Sequence, residues 1–154
     1  IRAYAKTAAG RAIDLQFRFT ALDADVLVAR RGTSHYGGLN VRLSAAGDQQ
    51  IETVTDPAGA SPRRAWAQRS GIPGGGQGVV GLTILQHAQN PDYPGDWVQY
   101  PNLSWIQPTF PAANTRYTIS KDRPLVLRYR LWIHDGQPTP ETIGGWWDAY
   151  HACD

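Results

Sequence analysis

The stretch LVLRYRLWI, residues 125–133, decides the fold: Leu125, Leu127, Tyr129, Leu131 and Ile133 share one face, and Val126, Arg128, Arg130 and Trp132 share the other. Successive side chains of an extended backbone point to opposite sides, so this run reads as a long β-strand. One of its faces is apolar, and the other mixes charge with aromatic surface. Near the start of the chain, AIDLQFRFTAL (residues 12–22) repeats the pattern, with Ile13, Leu15, Phe17 and Phe19 set against Asp14, Gln16, Arg18 and Thr20. Gly10-Arg11 separates this run from residues 3–9, and the two together read as a hairpin.

Between these ends, shorter extended segments are expected at residues 25–30, 39–43, 51–54, 63–69, 82–85, 97–100, 102–107 and 114–119. The 102–107 piece is expected at a sheet edge because Pro108 follows it. Gly47-Asp48 reads as a turn, residues 56–62 as a loop, and residues 71–78, with five glycines, as the most flexible segment. Only residues 139–151 read as helix: Thr139 suits the N-cap, Pro140 the first helical position and Glu141 the first turn. Gly144-Gly145 weakens that helix by about 1 kcal/mol per glycine. The expected fold is all-β, an antiparallel β-sandwich of jelly-roll or mutarotase-like form with a short C-terminal helix, one domain over residues 1–154.

Charge excludes some partners. Fifteen basic residues, thirteen of them Arg, face thirteen acidic ones, a balance too even to attract nucleic acid. No apolar run approaches the ~20 residues that span a bilayer, so no membrane partner is expected and the protein reads as soluble, with the periplasm or secretion as its candidate location. Cys153 has no second cysteine to pair with. The chain contains no Met and begins at Ile1, which leads to the expectation of a portion of a longer natural chain.

The candidate site residues cluster around GLTILQHAQNPDYPGDW, residues 81–97. An apolar strand there delivers Gln86, His87 and Asn90 into a loop that Pro91, Pro94 and Gly95 keep from becoming a helix. His87 and His35, each at a strand edge bounded by Gly or Pro, are a candidate pair for acid/base work or metal ligation. A third ligand could come from Asp92, Asp96 or Glu52, yet no H-x-H, HExxH or two-His-one-carboxylate spacing occurs, and structural imidazoles are the plainer reading. Arg42, Arg64, Arg128 and Arg130, with Trp66 and Trp132, could form a saccharide surface, since a pyranose offers an apolar face and hydroxyls and an acidic sugar adds a carboxylate for Arg; they could equally be a ladder that only covers the sheet. His134-Asp135-Gly136 reads as a turn. The acids lie mainly in turns, and nothing in their spacing brings two together for glycoside hydrolysis. Gly74-Gly75-Gly76 lacks the phosphate-loop pattern, and no G-x-S-x-G elbow is present.

Four segments, HYGGLNVR, RRAWAQRSG, GLTILQHAQNPDYP and LVLRYRLWIHDG, together resemble the bacterial family of unknown function DUF6807, also labelled PmoA-like or methane oxygenase. They cover roughly residues 3–136 in the family's order. The third is the most specific, the family form being close to G-V-x-I-L-D-H-P-x-N-P-x-x-P; Gln86 stands here in place of Asp and Ala88 in place of Pro. Methane monooxygenase subunits are membrane proteins, whereas nothing in this chain spans a bilayer. The resemblance implies instead a β-sandwich found beside carbohydrate-processing proteins in polysaccharide-degrading bacteria, with more sequence before the part that matches Ile1.

The function expected is therefore binding of a sugar or glycoside at a concave sheet face, with its processing by a hydrolase, lyase or epimerase reaction as an extension. The expected lining is Arg42, Arg64, Trp66, Gln86, Asn90 and Trp97, with His87 as acid/base and His35 as its partner. The ligand would be a small molecule or oligosaccharide, and no cofactor is expected. Two alternatives stand beside this: a cupin-like metal enzyme using His35 and His87, and an assembly module in which Trp146 and Trp147 pack against a missing N-terminal half or a second copy.

Overall fold

The alternation of residues 125–133 becomes the central strand of a six-stranded sheet. In a computed structural model, which describes residues 1–33, 35–44, 46–54, 63–74, 76–100 and 104–152, the chain runs through β1 (Arg2–Ala3), β2 (Arg11–Phe19), β3 (Val26–Val28), β4 (Val41–Arg42), β5 (Ala46–Val54), β6 (Arg63–Arg64), β7 (Trp66–Pro73), β8 (Val80–Gln86), β9 (Gly95–Tyr100), β10 (Trp105–Pro108), β11 (Tyr117–Ile119), β12 (Leu125–Asp135) and the helix α1 (Pro140–His151). The large sheet has the order β1-β2-β12-β8-β7-β5, a second sheet has the order β4-β10-β9-β6, and β11 pairs with β3. Every pairing is antiparallel.

Period 2 sorts the side chains into layers. Leu125, Leu127 and Tyr129 of β12, with Leu82 and Ile84 of β8 and Ala67 of β7, meet Trp97, Ile106 and Ile119 from the smaller sheets in the main core. The opposite face of the large sheet carries a second core, in which Leu85 and Trp132 pack under Ile143 and Tyr150 of α1, flanked by Trp66, Trp146 and Trp147. The result is the expected antiparallel sandwich, with α1 as a third layer on its outer face.

The helix begins as its sequence directs. Thr139 is the N-cap and accepts a hydrogen bond from the Thr142 N–H at 3.3 Å, and Pro140 opens the first turn. Its two glycines are compensated by tertiary packing: Trp146 stacks on Trp132 with centroids 4.7 Å apart, and the Trp147 indole N–H donates to the Gln86 carbonyl at 3.1 Å. Both tryptophans proposed for an assembly surface thus pack on the chain's own sheet.

Three local expectations are corrected. Gly47-Asp48 lies inside β5, where the register against β7 shifts between Gly47 and Gln50, so these residues form a bulge instead of a turn. The strand β7 extends through Gly71 to Pro73 because β8 and β5 pair with it on both sides. The expected edge piece is β10, which is buried along its length and lies between β4 and β9, with Pro108 at its last position. Residues 55–62, the Glu52 side chain and Cys153 lie outside the described residues.

Candidate functional site

Strand register brings charge together on the outer face of the large sheet. Arg2 of β1 lies beside Asp14 of β2, Asp14 lies directly across from Arg130 of β12, and Gln16 lies across from Arg128. Arg130 grips Asp14 through a two-point fork, Nε to Oδ1 at 2.6 Å and Nη2 to Oδ2 at 2.9 Å, and the Tyr4 hydroxyl donates to the same Oδ2 at 2.7 Å. The pair is largely withdrawn from water, with the Arg130 side chain 6% and the Asp14 side chain 23% exposed. Two aromatic rings flank the guanidinium, Tyr150 with its centroid at 4.5 Å and Tyr4 at 5.3 Å.

Electrostatics hold Arg130 and Tyr4 in their protonated forms. Burial works to lower the Arg130 pKa, but the hydrogen bonds and charge of Asp14, helped by Tyr4, outweigh it and leave the pKa raised. The Tyr4 pKa is raised first by its hydrogen bond to Asp14, then by burial and by the Asp14 charge, against opposing pulls from Arg2 and Arg130. Tyr4 is therefore a hydrogen-bond donor near neutral pH and a poor base. Around these residues lies a cavity of about 360 Å³, completed by Gln16, Arg128, His87 and the Tyr150 ring.

His87 is almost completely buried at the cavity wall. Its Nδ1 accepts the Gln89 N–H at 3.1 Å, so the neutral ring carries its proton on Nε2 and acts there as a donor. The ring meets Tyr150 edge-on at 5.0 Å and lies 4.5 Å from His151. His151 in turn ties the end of α1 to the loop: its Nδ1 donates to the Trp147 carbonyl at 2.7 Å and its Nε2 accepts the Ala88 N–H at 2.9 Å.

The neighbouring polar residues serve this loop. Asn90 is buried, and its amide makes two 2.7 Å hydrogen bonds to the backbone of Arg128, donating to the carbonyl and accepting from the N–H. Gln86 is buried with its amide 3.4 Å from the Arg64 carbonyl, which also accepts the Trp97 indole N–H at 2.9 Å. Gly95 faces this amide closely: a β-carbon there would stand 2.7 Å from Gln86 Oε1 and push the Gln86 side chain aside. Gly81 has the same kind of constraint, because a side chain there would collide with the His134 ring. That ring is buried, with Nε2 3.1 Å from Thr83 Oγ1 and Nδ1 3.2 Å from the Gly136 carbonyl.

The other residues singled out from the sequence fall elsewhere. His35 is exposed beside Arg31, Gly32 and Tyr36 in a cavity separate from the one that His87 lines, so the two imidazoles are not brought together. Arg42 lies on the four-stranded sheet, stacked 4.6 Å over Trp105. Arg64 is in β6, and Trp66 packs beside α1. Asp96 is engaged by Arg30 at 2.6 Å and by the Ala113 N–H, and Asp92 accepts from the Ala112 N–H. Among the described residues no three His, Cys, Asp or Glu side chains converge as metal ligands.

Sequence reasoning reached His87, Arg128 and Arg130 but passed over Tyr4, Asp14, Gln16 and Tyr150. One signal was available: a carboxylate in the middle of an otherwise clean strand is unusual, and it stands on the face where the partner strand carries arginines. Both oxygens of the cavity's one carboxylate among the described residues are engaged, while the Arg128 side chain and the exposed Gln16 amide border the open space. No helix of the described residues is long and apolar enough to cross a membrane. No curated protein and no solved structure matches the chain. The family model of DUF6807 matches residues 1–148, beyond both ends of the span that resembles it by motif, and the chain belongs to this family of unknown function.

Proposed function

We propose that the protein binds a saccharide in the cavity beside the Asp14–Arg130 pair. The observation that carries this reading is the combination in one cavity of about 360 Å³ of Tyr4 and Tyr150 with the Arg128 side chain and the Gln16 amide, beside the largely buried Asp14–Arg130 pair. Sugar rings are recognised by apolar C–H faces against aromatic rings and by hydroxyls paired with planar amide and guanidinium groups, and both kinds of surface are present. The implied association of the family with carbohydrate processing points the same way. Within this reading the ligand sits on the outer face of the six-stranded sheet, His87 backs the cavity wall, and Gln86 and Asn90 support the loop from behind.

The test is a saccharide array followed by calorimetric titration of the best hits. Binding is expected, and Gln16→Ala, which removes an exposed amide at the cavity rim, should weaken it about fivefold, the value of one hydrogen bond to ligand. Absence of binding to every saccharide class would overturn the proposal. Turnover of a glycoside that disappears in His87→Ala is the result that would extend binding to catalysis.

A further inference from the structure

We infer that the saccharide recognised here is an acidic one, a uronic or other sugar acid whose carboxylate is held by Arg128; this rests on the saccharide reading above. The cavity is lined by three guanidinium groups, on Arg2, Arg128 and Arg130, against the single carboxylate of Asp14, an excess of two positive charges. Arg130 and Asp14 satisfy each other through their fork. Arg128 is different. It is half-buried on the cavity wall, and its guanidinium makes no hydrogen bond or ion pair with any described residue.

Its neighbours do not supply a counter-charge. Gln16, directly across the strand pair, is neutral, and Asp14 is already engaged by Arg130 and Tyr4. Arg2 adds positive charge on the far side, lying 4.9 Å over the Tyr4 ring. A partly desolvated cation without a counter-ion carries an electrostatic cost that an anionic ligand removes. The backbone of Arg128 is also fixed at both its N–H and its carbonyl by Asn90, so the side chain projects from a rigid base. A planar carboxylate matches the planar fork of a guanidinium, whereas a neutral sugar offers only hydroxyls and uses none of the excess charge.

The experiment titrates the intact protein with glucuronic and galacturonic acid disaccharides, their neutral glucose and galactose counterparts, and glucose 6-phosphate, at low and high salt. The acidic disaccharides should bind roughly tenfold tighter than the neutral ones, the range of a charge-assisted contact, and the preference should shrink as salt rises. Arg128→Gln should erase the preference, bringing the affinity for acidic sugars down to that for their neutral counterparts. Arg128→Lys, which keeps the charge but loses the fork, should fall between, and circular dichroism of both variants checks that they remain folded. Equal binding of acidic and neutral sugars, or a preference that survives Arg128→Gln, would overturn the acidic assignment and leave the saccharide reading standing. Tighter binding of the phosphate would overturn the carboxylate assignment, and no binding by any of these sugars or by the array would overturn both readings.

Discussion

Arg2, Asp14, Arg130, Leu85 and Trp66 stand side by side in one cross-strand row of the six-stranded sheet, and the two ends of that row meet opposite environments. At the β7 end, Leu85 and Trp66 lie with Trp132 beneath α1. At the β1 end, Arg2, Asp14 and Arg130 border an open cavity. The backbone is the same regular ladder throughout. What differs is cover: a helix of twelve residues is roughly 18 Å long and shields only part of the sheet. Tyr150, in its last turn, marks the boundary by packing with Trp132 on one side and lying against Arg130 on the other. One outer face of a sandwich is therefore part core and part open surface, divided by the reach of α1 and by the side chains on either side of it.

The comparison can be broken most forcefully from the covered side. Trp132 is 2% exposed, so Trp132→Ala should lower unfolding free energy by about 4 kcal/mol, read as a shifted denaturant midpoint. A loss below about 1 kcal/mol would mean that α1 is not seated on the sheet. On the open side, Asp14→Ala leaves the Arg130 guanidinium largely buried without its partner and should cost about 3 kcal/mol as well as ligand affinity. Adding Arg130→Met to that variant should recover much of the stability but none of the binding; failure to recover it would show that the ion pair itself stabilises this end of the row.

The smallest effect concerns pH. Burial lowers the His134 pKa, outweighing hydrogen bonds with Gly136 and Asp135 that raise it. Above the unfolded value of about 6.5 the neutral ring contributes its full share of stability. As pH falls from there toward the lower folded value, the unfolded chain takes up protons that the native state refuses, and that share is lost. Unfolding midpoints followed from about pH 7.5 to about pH 5 should decline in the wild type and less steeply in His134→Gln. Identical slopes would clear His134 of the dependence.

How much of this was legible depends on how local the cause is. The alternations of β2 and β12 were readable because half-buried strands write their two faces directly into the sequence, and the start of α1 because Thr139, Pro140 and Glu141 act within one turn. The interior place of β10 was not, because Pro108 suggested an edge and a four-residue strand carries little pattern. At the site, His87 and the arginines of β12 announced themselves by type. Asp14 meets Arg130 only through a register spanning 116 residues of sequence, and Tyr150 arrives on a helix whose position no local pattern specifies. Asn90 was noticed for its polarity, but its partner is the Arg128 backbone 38 residues away.

The Asn90 amide has a further consequence for what can approach this part of the sheet. Beyond Gln86 the chain leaves β8; the His87 N–H still reaches the Arg128 carbonyl at 3.3 Å, but the Arg128 N–H would otherwise be offered to any extended segment arriving from outside. By pairing with both, Asn90 imitates a neighbouring strand for the length of one residue and closes that opening to strand addition. Anything that enters the cavity meets side chains at this point, because the backbone beneath them is already paired.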